Sequence, residues 1–187
     1  MSDLKNEFPN KISRYFVYKN EVYPRGGILN TDRGIVLIGA TMNYAIGLTQ
    51  IRNDLAIIKI PSLDNYIPLV PRVNISTVDD LLIYAYKAIF SPFYGVIMRN
   101  NKVLTVGVIY SRDISNKRAS YWIYDPQDNS IHRVDIGNIE TIVINYTEIP
   151  DEDLNKMILR IFNVNGLKEQ LKRFIEYGLF TLDSDGE

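Results

Sequence analysis

The chain has 187 residues, 46% of them hydrophobic and 23% charged, which excludes wholesale disorder and leaves room for one ordinary domain with a helical appendage. The absence of cysteine excludes disulfides, thiolate metal sites and cysteine nucleophiles, and His132 is the only histidine. A formal net charge of -1 with dispersed basic residues argues against nucleic-acid binding.

The stretch from Met1 to Glu7 is polar and has no apolar core, which argues against a signal peptide. The longest apolar stretch, Gly34 to Leu48, is interrupted by Thr41 and Asn43 and is too short to span a bilayer. A cytoplasmic protein or a virion component is therefore expected, with no membrane contact. Asn74-Ile75-Ser76 and Asn145-Tyr146-Thr147 then count as chance matches to the glycosylation pattern. Abundant isoleucine, 13 tyrosines, no cysteine, and glutamine only at Gln50, Gln127 and Gln170 fit a thermophilic archaeon or its virus.

Arg14 to Tyr18 reads as a strand because aromatic and β-branched residues dominate it. Pro24-Arg25-Gly26-Gly27 reads as a turn. From Ile35 to Leu48, Ile35, Ile38, Met42, Ala45 and Ile46 recur at helical spacing and Asp32 stands where a cap would, so a buried helix is predicted against the contrary signal of Gly39 and the β-branched residues. Leu55 to Ile60 is a buried strand stopped by Pro61, followed by a proline-punctuated loop to Pro71. Ser76 or Thr77 can cap a helix with Asp79 and Asp80 in its first turn and Leu81, Leu82, Ala85 and Ile89 as its buried stripe; Ser91-Pro92 ends it.

Strands are expected at Tyr94–Arg99, Val103–Tyr110, Tyr121–Tyr124, Ile131–Val134 and Thr141–Asn145. Asn100-Asn101 marks a tight hairpin and Asp125 to Asn129 another turn. Two helices close the chain, the first opened by Asp151-Glu152-Asp153 and separated from the second by Gly166; Gly178 ends the second. Helices and strands are segregated, so the fold class is α+β: a mainly antiparallel sheet of about five to seven strands packed with helices. Residues 1–149 form the α+β domain and residues 150–187 a C-terminal helical pair extending it.

Little catalytic chemistry is visible. Arg25-Gly26-Gly27 and Asp32-Arg33-Gly34 do not make a phosphate loop, because no glycine-rich run precedes a Lys-Ser/Thr pair. The carboxylates at Asp79-Asp80 and Asp151-Glu152-Asp153 are explained as helix N-termini, and no metal or cofactor is expected. A serine triad would need His132, and no Gly-x-Ser-x-Gly occurs. Lys102, Arg112, Lys117 and Arg118 fall near Tyr121 and Trp122, either as a solvated hairpin or as a basic edge for a phosphate or a partner.

One resemblance adds to this. Asp32-Arg33-Gly34-Ile35-Val36-Leu37-Ile38-Gly39-Ala40-Thr41-Met42-Asn43-Tyr44 is similar to the Asp-Cys-Gly start of the nucleophile helix in bacteriocin-processing members of the papain-like cysteine peptidase superfamily, with Arg33 where the cysteine belongs. Aligned instead to the herpesvirus tegument type, with its Arg-Gly-x-Gln-Cys, Leu37 takes that place. Tyr94 to Met98, Val103 to Tyr110 and Tyr121 to Pro126 resemble the family's strand–strand–Asp-Pro succession. The family histidine would fall near Leu104 or Thr105 on the first alignment and at Gln127 on the second. The resemblance spans Thr31 to Asn145 and implies a papain-like fold whose catalytic positions are lost, hence a pseudoenzyme.

The function expected is a non-catalytic protein-binding or structural role, with a protein partner or a homo-oligomer. A small enzyme using Asp/Glu carboxylates on a nucleotide or sugar and a weak nucleic-acid-binding module are the competing readings. The expected partner surface is the stripe Leu167, Leu171, Phe174 and Ile175, with Lys168, Glu169, Lys172 and Arg173 on the opposite face, continued by Phe180.

Overall fold

The computed structural model describes residues 11–29, 34–52, 54–115, 118–137 and 140–176, without the side chains of Lys172 and residues 174–176. It is α+β, built on antiparallel sheets and closed by a C-terminal helical pair. The chain falls into two compact units. The first holds the described residues up to Ile51, Leu55–Ile89 and the chain from Ile161; the second holds Arg52, Asp54 and the described residues of Phe90–Arg160.

In the first unit, β1 (Tyr15–Tyr18) and β2 (Glu21–Pro24) form a hairpin around Lys19 and Asn20, whose φ values of 48° and 65° make the tight turn. Strands β3 (Ile28–Leu29), β4 (Ile35–Ala40), β5 (Ala45–Ile51), β6 (Asp54–Ile60) and β7 (Pro68–Leu69) form a five-stranded sheet in the order β6-β5-β4-β3-β7. Helix α1 (Val78–Ile89) packs on β4 and β5. Thr77 caps it, its Oγ1 accepting the Asp80 N–H at 3.0 Å, and the Asp80 carboxylate reaches back to the Ser76 N–H. Phe16, Tyr18, Leu29, Ile35, Leu37, Ala45, Ile60 and Leu63 form one core cluster, and the Tyr18 hydroxyl donates to the Pro61 carbonyl at 2.8 Å.

The helix predicted over Ile35–Leu48 is a β-hairpin. Thr41 N–H donates to the Tyr44 carbonyl at 2.8 Å and reverses the chain between β4 and β5. The error has a physical source. β4 is buried on both faces, with Ile35 through Ile38 all inside, so it lacks the polar alternation that marks a half-buried strand, and its helical spacing is coincidental. This is also the segment where the papain-like resemblance requires the nucleophile helix; the chain has strand β4 there, and the expected cap Asp32 lies outside the described residues.

The second unit holds β8 (Phe93–Arg99), β9 (Lys102–Ser115), β10 (Arg118–Asp125), β11 (Ser130–Ile136) and β12 (Glu140–Asn145), in the order β11-β10-β9-β8-β12. Asn100 and Asn101, with φ of 50° and 62°, turn the first hairpin as predicted. β9 serves two partners. Its first half, Lys102–Ile109, pairs with β8, and its second half, Val108–Ser115, pairs with β10. Register shifts at Ile97/Met98 and Trp122/Ile123 add local bending.

Only three residues separate the end of β11 from the start of β12, although they lie at opposite ends of the strand order. Across a flat sheet those ends would be at least ~19 Å apart, four steps of about 4.8 Å, whereas the connecting backbone reaches at most ~14 Å. The sheet is therefore strongly coiled, with Ile97, Ile109 and Ile123 buried on its inner face beside Phe93, Tyr121, Val134, Ile136 and Ile142. Gly107 permits the tight approach of β10, since a Cβ there would stand 2.5 Å from the Tyr124 carbonyl oxygen. On the outer face the first turns of α2 (Asp151–Val164) bring Asp153 to the Tyr94 hydroxyl at 3.4 Å. The boundary between the units runs through α2, so its last turn and α3 (Leu167–Glu176) belong to the first unit. Gly166, with φ of 77°, separates the two helices as the sequence predicts.

Candidate functional site

The sequence-predicted positions are scattered. Leu37 is fully buried in β4 of the first unit; Thr105 is half-buried in β9 and Gln127 is exposed in the β10–β11 turn, both in the second. Gln127 N–H donates to Asp125 Oδ1 at 2.9 Å, an ordinary Asx turn. Arg33, Lys117 and Phe180 lie outside the described residues, as do the side chains of Phe174 and Ile175. Leu167 and Leu171 are already buried within the chain, so they offer no free docking stripe. Arg112 and Arg118 are exposed on the β9–β10 hairpin, beside Asp113, while Lys102 starts β9 on the order of 33 Å away along the strand. The expected basic cluster is thus divided.

One trio has the residue types of nucleophilic catalysis. On the β10–β11 turn, Ser130 Oγ contacts the Asp128 carboxylate and stands 2.7 Å from His132 Nε2. The wiring is the reverse of an activated serine. The hydroxyl donates its hydrogen bond to Asp128, whose Oδ1 also accepts the Ser130 N–H at 3.1 Å, so Nε2 must be the donor to Oγ. An imidazole that already carries the proton on that nitrogen cannot take the serine's. The trio staples an exposed turn. Among the described residues, no three His, Asp or Glu side chains are grouped to hold a metal ion.

The first unit contains a cavity of about 330 Å³ lined by Arg14, Arg25, Arg72, Asn74, Tyr15 and Val73, among others. Arg25 is buried and its guanidinium is spent on structure. Nε donates to the Ser13 carbonyl at 3.0 Å, Nη1 donates to the Ile38 carbonyl, and the group lies 5.9 Å from the centre of the Phe16 ring. Strongly shifted ionisations are tyrosines. Tyr23 is pushed up to about 12 by burial and by the Glu21 carboxylate its hydroxyl donates to, and Tyr110 is raised by burial, then by nearby Asp54. Neither sits in a described cavity.

The second unit presents a different surface. β12 is an edge strand, and Thr141, Val143, Ile144, Asn145 and Tyr146 are exposed, Val143 by 49% and Tyr146 by 93%. From Thr141 to Tyr146 the edge has no charge, no proline and no register shift. The opposite edge, β11, carries His132, Arg133 and Asp135, all exposed, the usual protection against strand addition. On the outer face Val143, Val96 and Val106 are register partners across β12, β8 and β9, a valine row with Val106 54% exposed. At the end of β12 a groove of about 590 Å³ is lined by Phe93, Ile144, Tyr146, Glu148 and Leu154, among others. Sequence reasoning finds the strand but not its edge, because edge position follows from the return of β12 to β8.

No family model, curated protein or solved structure matches the chain. No described helix is long and apolar enough to cross a membrane.

Proposed function

We propose that this is a non-catalytic protein-binding protein that accepts an extended segment along β12. The observation that carries the reading is the contrast between the two edges of one sheet: β11 carries exposed charges, whereas β12 from Thr141 onward is exposed, uncharged and flanked by an apolar row and groove. An exposed strand edge offers backbone donors and acceptors to an added strand, and neighbouring apolar side chains supply the specificity. The inverted Asp128–Ser130–His132 wiring favours this over a serine hydrolase.

The test is hydrogen exchange of the Thr141–Asn145 amides in dilute protein, with and without an uncharged six-residue peptide of alternating threonine and valine. Slowed exchange along β12, absent with a proline-interrupted version of the same peptide, is the expected result. Equal exchange under all three conditions overturns the reading.

A further inference from the structure

β12 is complementary to itself. Antiparallel strands place residues directly opposite one another on the same face, and a two-fold axis through one residue pairs the residues equidistant from it. With the axis at Val143, Val143 meets Val143 of the second copy, Ile142 meets Ile144, Thr141 meets Asn145, and Glu140 meets Tyr146. Apolar faces apolar and polar faces polar, and no like charges are opposed.

The neighbouring registers fail this test. An axis at Ile142 sets Thr141 against Val143 and Glu140 against Ile144, and an axis at Ile144 sets Val143 against Asn145. An axis between residues would set inner-face side chains against outer-face ones.

We infer that two copies of this chain pair through β12, antiparallel about Val143, joining their five-stranded sheets into one. This rests on the reading of β12 as a binding edge and names its occupant. The valine rows then run continuously, Val106, Val96 and Val143 of one copy meeting Val143, Val96 and Val106 of the other. Ile142, at the rim of the inner cluster, gains Ile144 of the second copy as its neighbour on that face. Glu140 brings no free charge to the seam, because Arg99 and the Gly137 N–H already hold it. A six-residue strand makes a small interface, so the dissociation constant is expected in the micromolar range.

The absence of cysteine makes the test background-free. V143C places two thiols opposite each other at the axis, within the Cα separation a disulfide accepts. V22C, on a strand residue of the first unit that is more exposed than Val143 (66% against 49%), is the control. Under mild oxidation V143C is expected to become a covalent dimer far faster than V22C.

Light scattering of the wild type at roughly 10⁻⁴ M, where a micromolar dimer is almost fully formed, should give twice the chain mass. V143K and V143E should each raise the dissociation constant about tenfold or more while keeping the wild-type circular dichroism, and mixing the two should restore a dimer. A monomeric wild type overturns the inference but leaves the edge-binding reading to its peptide test. A dimer that V143K does not weaken, or equal cross-linking of V143C and V22C, overturns the inference and locates association elsewhere.

Discussion

Arg99 on β8 and Glu140 on β12 are register partners, and their side chains form an ion pair in which the carboxylate is the buried member. Glu140 also accepts the Gly137 N–H at 2.6 Å, so one carboxylate ties β12 both to its neighbour and to the connection that precedes it.

The Gly137 hydrogen bond first, and then Arg99, hold the Glu140 carboxyl below the ordinary glutamate value of 4.5. A carboxyl lowered in the folded state contributes stability in full above its unfolded value, and that contribution is lost as pH falls through the folded value. Melting temperature should therefore drop as pH goes below about 4.5, and E140Q should lower it at neutral pH while flattening the acid limb. Melts from pH 7 to pH 3 check this; parallel acid limbs for E140Q and wild type would show that other carboxylates carry the dependence.

Gly107 should tolerate no side chain. An added Cβ meets the Tyr124 carbonyl oxygen at 2.5 Å and Ile123 Cγ2 at 2.6 Å, and the first of these is backbone that cannot step aside. G107A is expected to destabilise by about 1–3 kcal/mol through overpacking. Denaturant titration measures it, and a neutral G107A would mean that β9 and β10 are less closely apposed.

The turn at Asn100 and Asn101 needs left-handed backbone at both positions. N101V should cost about 1–2 kcal/mol, because a β-branched residue is poorly accommodated there, and N101G should be neutral or stabilising. The two variants share the loss of the amide, so opposite signs in the same titration isolate the backbone effect.

Removing Arg25 takes away the donor it gives to the Ser13 and Ile38 carbonyls in the first unit. R25M keeps most of the side-chain volume and should still destabilise by roughly 2–4 kcal/mol, the cost of losing charge-assisted hydrogen bonds to one buried and one half-buried carbonyl. A neutral R25M would show that water reaches those carbonyls.

What could be read in the sequence follows from where its signals are local. Most of residues 93–145 was legible because asparagines mark the β8–β9 turn, an Asp-Pro run marks the β10–β11 turn, and the strands alternate or are β-branched; the polar ends of β9 and β10, Ser111–Ser115 and Arg118–Ser120, fall outside the predicted strands and are strand. Helix α1 was legible through Thr77 and its acidic first turn. Apart from the turn at Pro24–Gly27, residues 19–50 were not. The Lys19-Asn20 turn contains no glycine to announce its positive φ, and β4 and β5 are apolar on both faces. The candidate edge was half legible: Thr141–Asn145 reads as a strand, but only pairing with β8 makes it the last one. The Ser130–His132 contact lies two residues apart on one strand face, and local spacing could have raised it.

The short link between β11 and β12 also orders assembly in time. β8 through β11 are joined by consecutive hairpins, so each contact closes a small loop and can form early. β12 instead pairs with a strand more than forty residues before it, and it can do so only once the meander has coiled enough for three residues to bridge the gap. Until then β8 is the open margin of the growing sheet, with Val96 and Ile97 uncovered. On the ribosome, docking of β12 is therefore the late step that covers β8, and conditions that slow it should raise losses to aggregation before they alter the finished protein.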